Sequence, residues 1–123
     1  MKKRILICDD DSMTIRTLEF QFKRDGFEVI KTVNGREASK ILDEDDKIDL
    51  LIVDQYMPMM NGLELVTYVR TILQRDIPII VVSRVNVEDS KNVAIELGAN
   101  AYITKPFVLD ELSTKVKEIL NMS

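Results

Sequence analysis

Five short apolar runs recur along the chain, and a longer stretch with helical spacing follows each of them. Apolar runs bounded by turn or charge signals indicate β-strands, whereas apolar residues three or four positions apart indicate amphipathic helices. The five runs lie at residues 5–8, 29–30, 50–53, 79–82 and 101–103. This alternation constrains the fold strongly, because strands separated by helices form a parallel sheet with helices on both faces.

The stretches after the runs predict five helices, and the first four lie at about residues 12–25, 35–42, 62–73 and 88–97. Asp11 and Asn34 precede the first two as N-caps, and Gly98 follows the fourth. Two helices have clear apolar faces, formed by Leu65, Val66, Val69, Ile72 and Leu73 in the third and by Leu109, Leu112, Val116, Ile119 and Leu120 in the last. Such faces predict helices that pack one side against the sheet.

The composition of the strands predicts their order in the sheet. Central strands of a parallel sheet are buried on both faces and consist of uninterrupted apolar residues, as in the runs 5–8, 50–53 and 79–82. Segment 28–32 contains charged residues and segment 101–104 is short, so both suit edges. This arrangement is the order 2-1-3-4-5 of the flavodoxin-like fold. We therefore predict an α/β protein, a (βα)5 three-layer sandwich, with one domain over residues 1–123 and no output domain among them.

The composition also excludes several kinds of chemistry. The chain has no histidine, which excludes a histidine general base, a Ser-His-Asp triad and a histidine-ligated metal. Its single cysteine, Cys8, excludes an intrachain disulfide and a cysteine metal cage. The net charge of −4 argues against direct binding of nucleic acid. Because every apolar run is far shorter than the roughly 18 residues that span a bilayer, we expect a soluble cytoplasmic protein with no membrane partner.

Polar residues gather where the predicted strands end, which is the edge at which open parallel sheets bind ligands. That edge carries carboxylates, a hydroxyl and an ammonium group: Asp9, Asp10, Asp11, Asp54, Ser83 and Lys105. Grouped carboxylates repel one another and suit a hard cation such as Mg²⁺. A carboxylate can also accept a phosphoryl group, whose oxygens Ser83 and Lys105 would contact. The pattern therefore describes Mg²⁺-assisted phosphoryl transfer to an aspartate.

At these residues the sequence resembles the receiver domain of bacterial two-component response regulators. The resemblance covers the whole chain and rests on four fragments in order, ILICDDD, DLLIVDQYMPMMNG, IIVVS and AYITKPF. It implies a phosphorylation-dependent signalling switch, with at most weak self-phosphorylation and self-dephosphorylation, and not a true enzyme. The implied phosphodonor is a histidine kinase or a histidine phosphotransfer protein of a phosphorelay.

The resemblance also implies how the signal leaves the domain. The face formed by strand 4, helix 4 and strand 5 would change on phosphorylation and control the binding of an unknown downstream protein. A homodimer would form through helix 4, strand 5 and helix 5.

The resemblance assigns a role to each candidate residue at the sheet edge. Asp54 is implied to be the phosphorylated residue and a metal ligand. Asp10 would bind Mg²⁺ directly, Asp9 would bind it through water, and the backbone carbonyl of Tyr56 would be a further ligand.

Four residues near the last two strands receive the remaining roles. Ser83 and Lys105 match the hydroxyl and the lysine that contact the phosphoryl group. Tyr102 stands at the position of the family's rotating aromatic residue. A cis peptide bond is implied between Lys105 and Pro106.

Three residues depart from the family pattern. Arg84 stands where the family usually has a small residue, and a long cation there would shield the pocket, slow small phosphodonors or contact the phosphoryl group. Tyr56 and Val85 occupy positions where polar residues assist the hydrolytic water. We therefore predict slow loss of the phosphoryl group, with Arg84 and Val85 as candidate modulators.

Two alternative functions remain open at this point. Asp9, Asp10, Asp11 and Ser12 imitate the Asp-x-Asp motif of haloacid dehalogenase-like phosphatases, with Asp9 as the nucleophile. Against that reading, no acidic pair follows Lys105 on a further strand, and Asp54 would have no role. The second alternative is an interaction module that works without phosphorylation, for which the cation beside the site is the main argument.

Overall fold

The five strands form one parallel sheet in the order β2-β1-β3-β4-β5. The computed structural model describes residues 2–121. The strands are β1 Arg4–Cys8, β2 Glu28–Thr32, β3 Leu50–Asp54, β4 Ile79–Ser83 and β5 Ala101–Thr104. Strands β3 and β4 are buried along their whole length, whereas β2 and β5 are partly exposed. The predicted α/β class and the flavodoxin-like strand order are therefore confirmed.

Each strand is followed by a helix, in the alternation that the sequence predicts. The helices are α1 Ser12–Arg24, α2 Gly35–Glu44, α3 Gly62–Thr67, α4 Glu88–Leu97 and α5 Leu109–Ile119. The side chain of Asp11 accepts a hydrogen bond from the N–H of Met13 and caps α1. Asn34 caps α2 in the same way through the N–H of Glu37. Both predicted N-caps are confirmed.

Two apolar cores lie on opposite faces of the sheet, because successive residues of a strand point to opposite sides. In β1, Leu6 and Cys8 face one core and Ile5 and Ile7 face the other. The first core is completed by apolar residues of α2, α3 and α4. The second is completed by residues of α1 and α5. The molecule is thus a three-layer sandwich with three helices on one side and two on the other.

The predicted helix over residues 62–73 is present, but its second half is π-helical. Helix α3 ends at Thr67 and continues as a π-helical segment, Tyr68–Ile72, in which the N–H of Leu73 bonds to the carbonyl five residues back. In this wider turn, Leu73 lies on the core side of the helix together with Val69. Ile72, which the α-helical spacing placed on the apolar face, is instead 66% exposed.

Helix α4 is held unevenly at its two ends. At its C-terminus the guanidinium of Arg70 donates two hydrogen bonds, of 2.9 and 3.1 Å, to the carbonyl of Gly98. At its N-terminus Val87 supplies no side-chain cap, and Ala94 is the buried residue of the helix. Helix α4 is therefore fixed mainly at the end that lies away from the carboxyl edge of the sheet.

Across residues 2–121 the structure contains no helix with both the length and the apolar character that crossing a membrane requires.

Candidate functional site

The strand register places the ends of β3, β4 and β5 side by side. Asp54 is paired with Val82, the residue before Ser83. Ser83 is itself paired with Thr104, the residue before Lys105. Three side chains of different chemistry therefore share one edge of the sheet, in the positions that the sequence predicts.

Lys105 joins two of the carboxylates at this edge. Its Nζ lies 2.9 Å from Oδ2 of Asp9 and 3.6 Å from Oδ1 of Asp54. The other oxygen of Asp9 accepts a hydrogen bond of 2.9 Å from the N–H of Asp11. Asp9 and Asp54 are both buried, so one ammonium group serves two carboxylates that are largely withdrawn from water.

Three carboxylates converge at this point with a single neighbouring ammonium group. Asp9, Asp10 and Asp54 each offer one oxygen, and these oxygens lie within 4.8 Å of one another. Burial of Asp54, and next the negative charge of Asp9, raise the pKa of Asp54 to about 6, although Lys105 acts in the opposite direction. The ionised form of Asp54 is therefore less stable in the folded protein than in water.

The donor set fits a small divalent cation. All three groups are carboxylate oxygens, which Mg²⁺ prefers, and a cation between them would relieve their mutual repulsion. Asp10 is the exposed member of the three, and Tyr56 lines the same shallow pocket as Asp10. Asp10 and Tyr56 therefore line one opening at the carboxyl edge of the sheet.

Ser83 is completely buried at the end of β4. Its Oγ accepts a hydrogen bond of 3.0 Å from the N–H of Val85. Within the described part of the chain, no group accepts the Ser83 hydroxyl proton. The hydroxyl can therefore donate to an oxygen placed beyond the strand end.

The hydroxyl of Tyr102 points into the protein, toward the loop between β4 and α4. Its Oη lies 2.7 Å from the carbonyl oxygen of Val85 and 3.0 Å from Oε1 of Gln55. Sequence reasoning singled out Tyr102 and Val85 but missed Gln55. The only signal for Gln55 was its place directly after a strand-ending aspartate, which does not reveal that its side chain is 5% exposed.

Arg84 is exposed and lies at the rim of the site. It lines a cleft of about 480 Å³ together with Asp11, Thr14 and Lys105. Among residues 2–121, no carboxylate lies within ion-pair distance of its guanidinium. The peptide bond that follows Lys105, toward Pro106, is cis.

Gly62 lies against the backbone of the candidate phosphorylation residue. A Cβ at this position would lie 2.4 Å from the carbonyl oxygen of Asp54 and 2.9 Å from Cα of Gln55. The sequence marked Gly62 as the start of a helix and did not predict this contact. A glycine here lets α3 begin directly beneath the strand end that carries Asp54.

Comparison with known proteins identifies the family of the chain. Residues 5–117 match the family described as the response regulator receiver domain. The chain is 38% identical over 117 residues to the transcriptional regulatory protein PrrA of Mycobacterium bovis. These aligned residues cover 95% of this chain and 49% of PrrA. It is 35% identical over 123 residues to the alkaline phosphatase synthesis transcriptional regulatory protein PhoP of Bacillus subtilis, covering 100% of this chain and 50% of PhoP. The chain thus spans about half the length of these relatives.

Solved structures show the same architecture. The receiver domain of the Francisella response regulator 1452 superposes with a TM-score of 0.92 at 25% identity, over 98% of each chain. A putative response regulator from Chloroflexus aurantiacus superposes with a TM-score of 0.90 at 33% identity, over 98% of this chain and 99% of that one. The family match covers most of the chain, and the chain therefore belongs to the response regulator receiver domain family, a family of signalling domains of two-component systems.

Proposed function

We propose that this domain accepts a phosphoryl group on Asp54 and uses it to change a binding surface. The observation that carries the proposal is the convergence of Asp9, Asp10 and Asp54 around one site, with Lys105 between two of them. Such a site is suited to holding a phosphoryl group, whose negative charge needs both a metal ion and a fixed cation.

The transfer step assigns a role to each residue at the edge. A carboxylate oxygen of Asp54 forms the new P–O bond, while the P–N bond of a phosphohistidine breaks and its electron pair returns to the imidazole. Lys105, 3.6 Å from Asp54, and the buried hydroxyl of Ser83 then contact the phosphoryl oxygens. Asp10, Asp54 and the Tyr56 carbonyl would hold Mg²⁺ directly and Asp9 would hold it through water, and the ion would neutralise further charge of the phosphoryl group.

If the two proposed contacts form only in the phosphorylated state, their free energy is comparable with what a switch requires. A hydrogen bond to a charged group contributes roughly 1.5–3 kcal/mol, so those from Ser83 and Lys105 together contribute roughly 3–6 kcal/mol. Reversing a 1:99 equilibrium needs about 5.5 kcal/mol. We expect the change in the loop between β4 and α4 and at Tyr102, because these adjoin the two contact residues.

Hydrolysis of the phosphoryl group should be slow. Tyr56 is 59% exposed and Val85 is partly buried, and neither offers the carboxylate or amide that would orient an attacking water. Arg84, at the rim of the same site, would screen the phosphoryl group or contact it.

The partners follow from the same proposal. A histidine kinase or a histidine phosphotransfer protein in the cytoplasm would supply the phosphoryl group, and an unknown downstream protein or output segment would read the face of β4, α4 and β5. The face formed by α4, β5 and α5 is the proposed homodimer surface. PrrA and PhoP are transcriptional regulatory proteins, so control of transcription is the proposed output of a longer protein of that kind.

Mapping a trapped acyl phosphate tests this function. The protein is incubated with a small phosphodonor with and without Mg²⁺, the acyl phosphate is reduced with borohydride, and the modified residue is located by mass spectrometry. We expect Mg²⁺-dependent modification of Asp54 and none in Asp54→Asn, with Asp45→Asn as a control carboxylate at the opposite end of the sheet.

The alternatives give different outcomes in the same experiment. Modification of Asp9 would instead support the phosphatase, although both oxygens of Asp9 are already engaged, by Lys105 and by the N–H of Asp11. Absence of any modification, in the wild type and in Arg84→Ala alike, would support an interaction module that works without phosphorylation.

A further inference from the structure

The Tyr102 hydroxyl has two neighbouring oxygens and only one proton to give. It lies 2.7 Å from the Val85 carbonyl and 3.0 Å from Oε1 of Gln55. Both oxygens are acceptors, and a phenolic hydroxyl donates a single hydrogen bond while it can accept others. Only one of the two contacts can therefore use the hydroxyl proton.

Rotating the Gln55 amide by 180° about its Cγ–Cδ bond resolves this conflict. The rotation exchanges Oε1 and Nε2, which occupy nearly the same volume. The amide N–H then donates to Oη of Tyr102, and the hydroxyl donates to the Val85 carbonyl. The result is a directed chain of hydrogen bonds from the end of β3, through the β5 tyrosine, to the loop between β4 and α4.

Gln55 is rigid enough to act as the fixed end of this chain. Its N–H donates to the carbonyl of Val82 at 2.8 Å, and its carbonyl accepts from the N–H of Gly62 at 2.9 Å. Its side chain is 5% exposed and follows Asp54 directly. A buried amide stabilises the arrangement in which it is hydrogen-bonded. Breaking that hydrogen bond costs free energy, because the amide group is then left without a partner in a site largely closed to water.

We propose that Gln55 is a positioning residue that holds Tyr102 in the inward orientation before any phosphoryl group is present. Gln55 acts through the Tyr102 hydroxyl and does not touch the reacting atoms. The loop between β4 and α4 is thereby held from both sides, by the Ser83 hydroxyl and by Tyr102. The meaning of this for signalling rests on the proposed function, but the positioning itself is a property of the unphosphorylated protein.

The variant Gln55→Met removes the amide and keeps the length of the side chain. Loss of one buried hydrogen bond should shift the ratio of inward to outward Tyr102 by about five- to tenfold toward the outward state. The variant Gln74→Met makes the same change at an exposed position and serves as the control.

The orientation of Tyr102 can be measured by fluorine NMR of protein labelled with 3-fluorotyrosine. The chain has three tyrosines, so three resonances are expected, and Tyr102→Phe assigns one of them. In Gln55→Met without phosphodonor, the Tyr102 resonance should move toward its solvent-exposed shift, and amide exchange at residues 84–88 should accelerate. The resonances of Tyr56 and Tyr68 report whether the fold is intact.

A double-mutant comparison separates positioning through Tyr102 from a general loss of packing. In the Tyr102→Phe background, Gln55→Met should no longer change amide exchange at residues 84–88. An equal effect of Gln55→Met in both backgrounds would overturn the proposal, and so would an unchanged Tyr102 resonance in a folded Gln55→Met protein.

These outcomes are distinct from failure of the proposed function. Failure to modify Asp54 in the wild type would reject the phosphoryl switch but leave the NMR result on Gln55 interpretable. Normal modification of Asp54 together with an unchanged Tyr102 resonance in Gln55→Met would reject only the role of Gln55.

Discussion

The two ends of the sheet both carry aspartates beside basic side chains, but the pKa of the aspartate is lowered at one end and raised at the other. At the amino end, the side chain of Asp45 accepts hydrogen bonds from the N–H of Lys47 and from the guanidinium of Arg4, and both lower its pKa. At the carboxyl end, burial and the charge of Asp9 raise the pKa of Asp54 to about 6. Charges at the amino end are paired, whereas the carboxylates at the carboxyl end repel one another in a way that a bound cation would relieve.

The difference also appears in the number of cations. Arg4 and Arg75 both contact the amino end of the sheet, where Arg75 donates to the carbonyls of Leu42 and Asp45 and so neutralises the C-terminus of α2. At the carboxyl end, Lys105 is the one cation within ion-pair distance of the grouped carboxylates among the residues that the structure describes, and it reaches two of the three, Asp9 and Asp54. The comparison teaches that unbalanced charge in a stable fold indicates function more clearly than the presence of charge does.

The largest difference between the two ends is expected when the basic side chain at each end, Lys105 or Arg4, is removed. Lys105→Met should slow phosphorylation of Asp54 by about 10²–10³-fold, because a fixed positive charge at the phosphoryl oxygens is lost. Arg4→Met should leave that rate unchanged and lower the stability by about 1–2 kcal/mol. Stopped-flow phosphorylation and urea unfolding measure the two effects, and equal rate losses in both variants would contradict the assignment.

Two glycines offer a second test of the two ends. Gly62→Ala should cost about 2–4 kcal/mol of unfolding free energy, because the new Cβ would lie 2.4 Å from the carbonyl of Asp54. Gly26→Ala, at φ +94° with open space around it, should cost only about 1 kcal/mol. Urea denaturation gives both values. A Gly62→Ala protein as stable as Gly26→Ala would mean that α3 moves freely relative to β3.

Neutralising one aspartate at each end should change stability in opposite directions. The folded pKa of Asp54 is raised, so its ionisation disfavours the fold progressively as the pH rises from about 4 through about 6. Asp54→Asn should therefore be about 1–3 kcal/mol more stable than the wild type at pH 8 without Mg²⁺, and no more stable at pH 4. Thermal unfolding across this pH range measures the difference.

Asp45 should show the reverse sign. Its pKa is lowered in the fold, so its contribution is present above its unfolded pKa and is lost as the pH falls through the folded value. Asp45→Asn should be less stable than the wild type at pH 7, and the difference should shrink in acid. Stabilisation by both substitutions at pH 7 would refute the contrast between the two ends.

The smallest expected change in a rate concerns the lifetime of the phosphoryl group. Tyr56→Asn combined with Val85→Glu should accelerate its loss from Asp54 by about tenfold, equivalent to about 1.4 kcal/mol, by orienting the attacking water. Loss of radiolabel from purified phosphoprotein measures the rate. An unchanged lifetime in the double variant would show that these two positions do not limit hydrolysis here.

The sequence predicts those features that depend on local pattern. The strand order follows from which apolar runs are uninterrupted, and the clustering of Asp9, Asp54 and Lys105 follows from where the strands end. Both follow because parallel strands bring their carboxyl ends to one edge whatever the details of packing.

The remaining features depend on contacts between distant residues, which no local pattern encodes. In the π-helical turn at Tyr68–Ile72, Leu73 packs against the core while Ile72 is exposed, and α-helical spacing therefore misplaced Ile72. The hydrogen bonds of Gln55 need a tyrosine 47 positions further along the chain. Such features become visible only once the sheet has brought these elements together.

The uneven anchoring of α4 determines how far each part of the helix moves when the helix tilts. Arg70 fixes the C-terminus of this ten-residue helix at Gly98, while its N-terminus lacks a side-chain cap. A helix of that length is about 15 Å long, so a shift of about 2 Å at its N-terminal end is a tilt of about 8°. In such a tilt α4 is a lever with its fulcrum far from the site, and residues near Glu88 move several times as far as residues near Leu97.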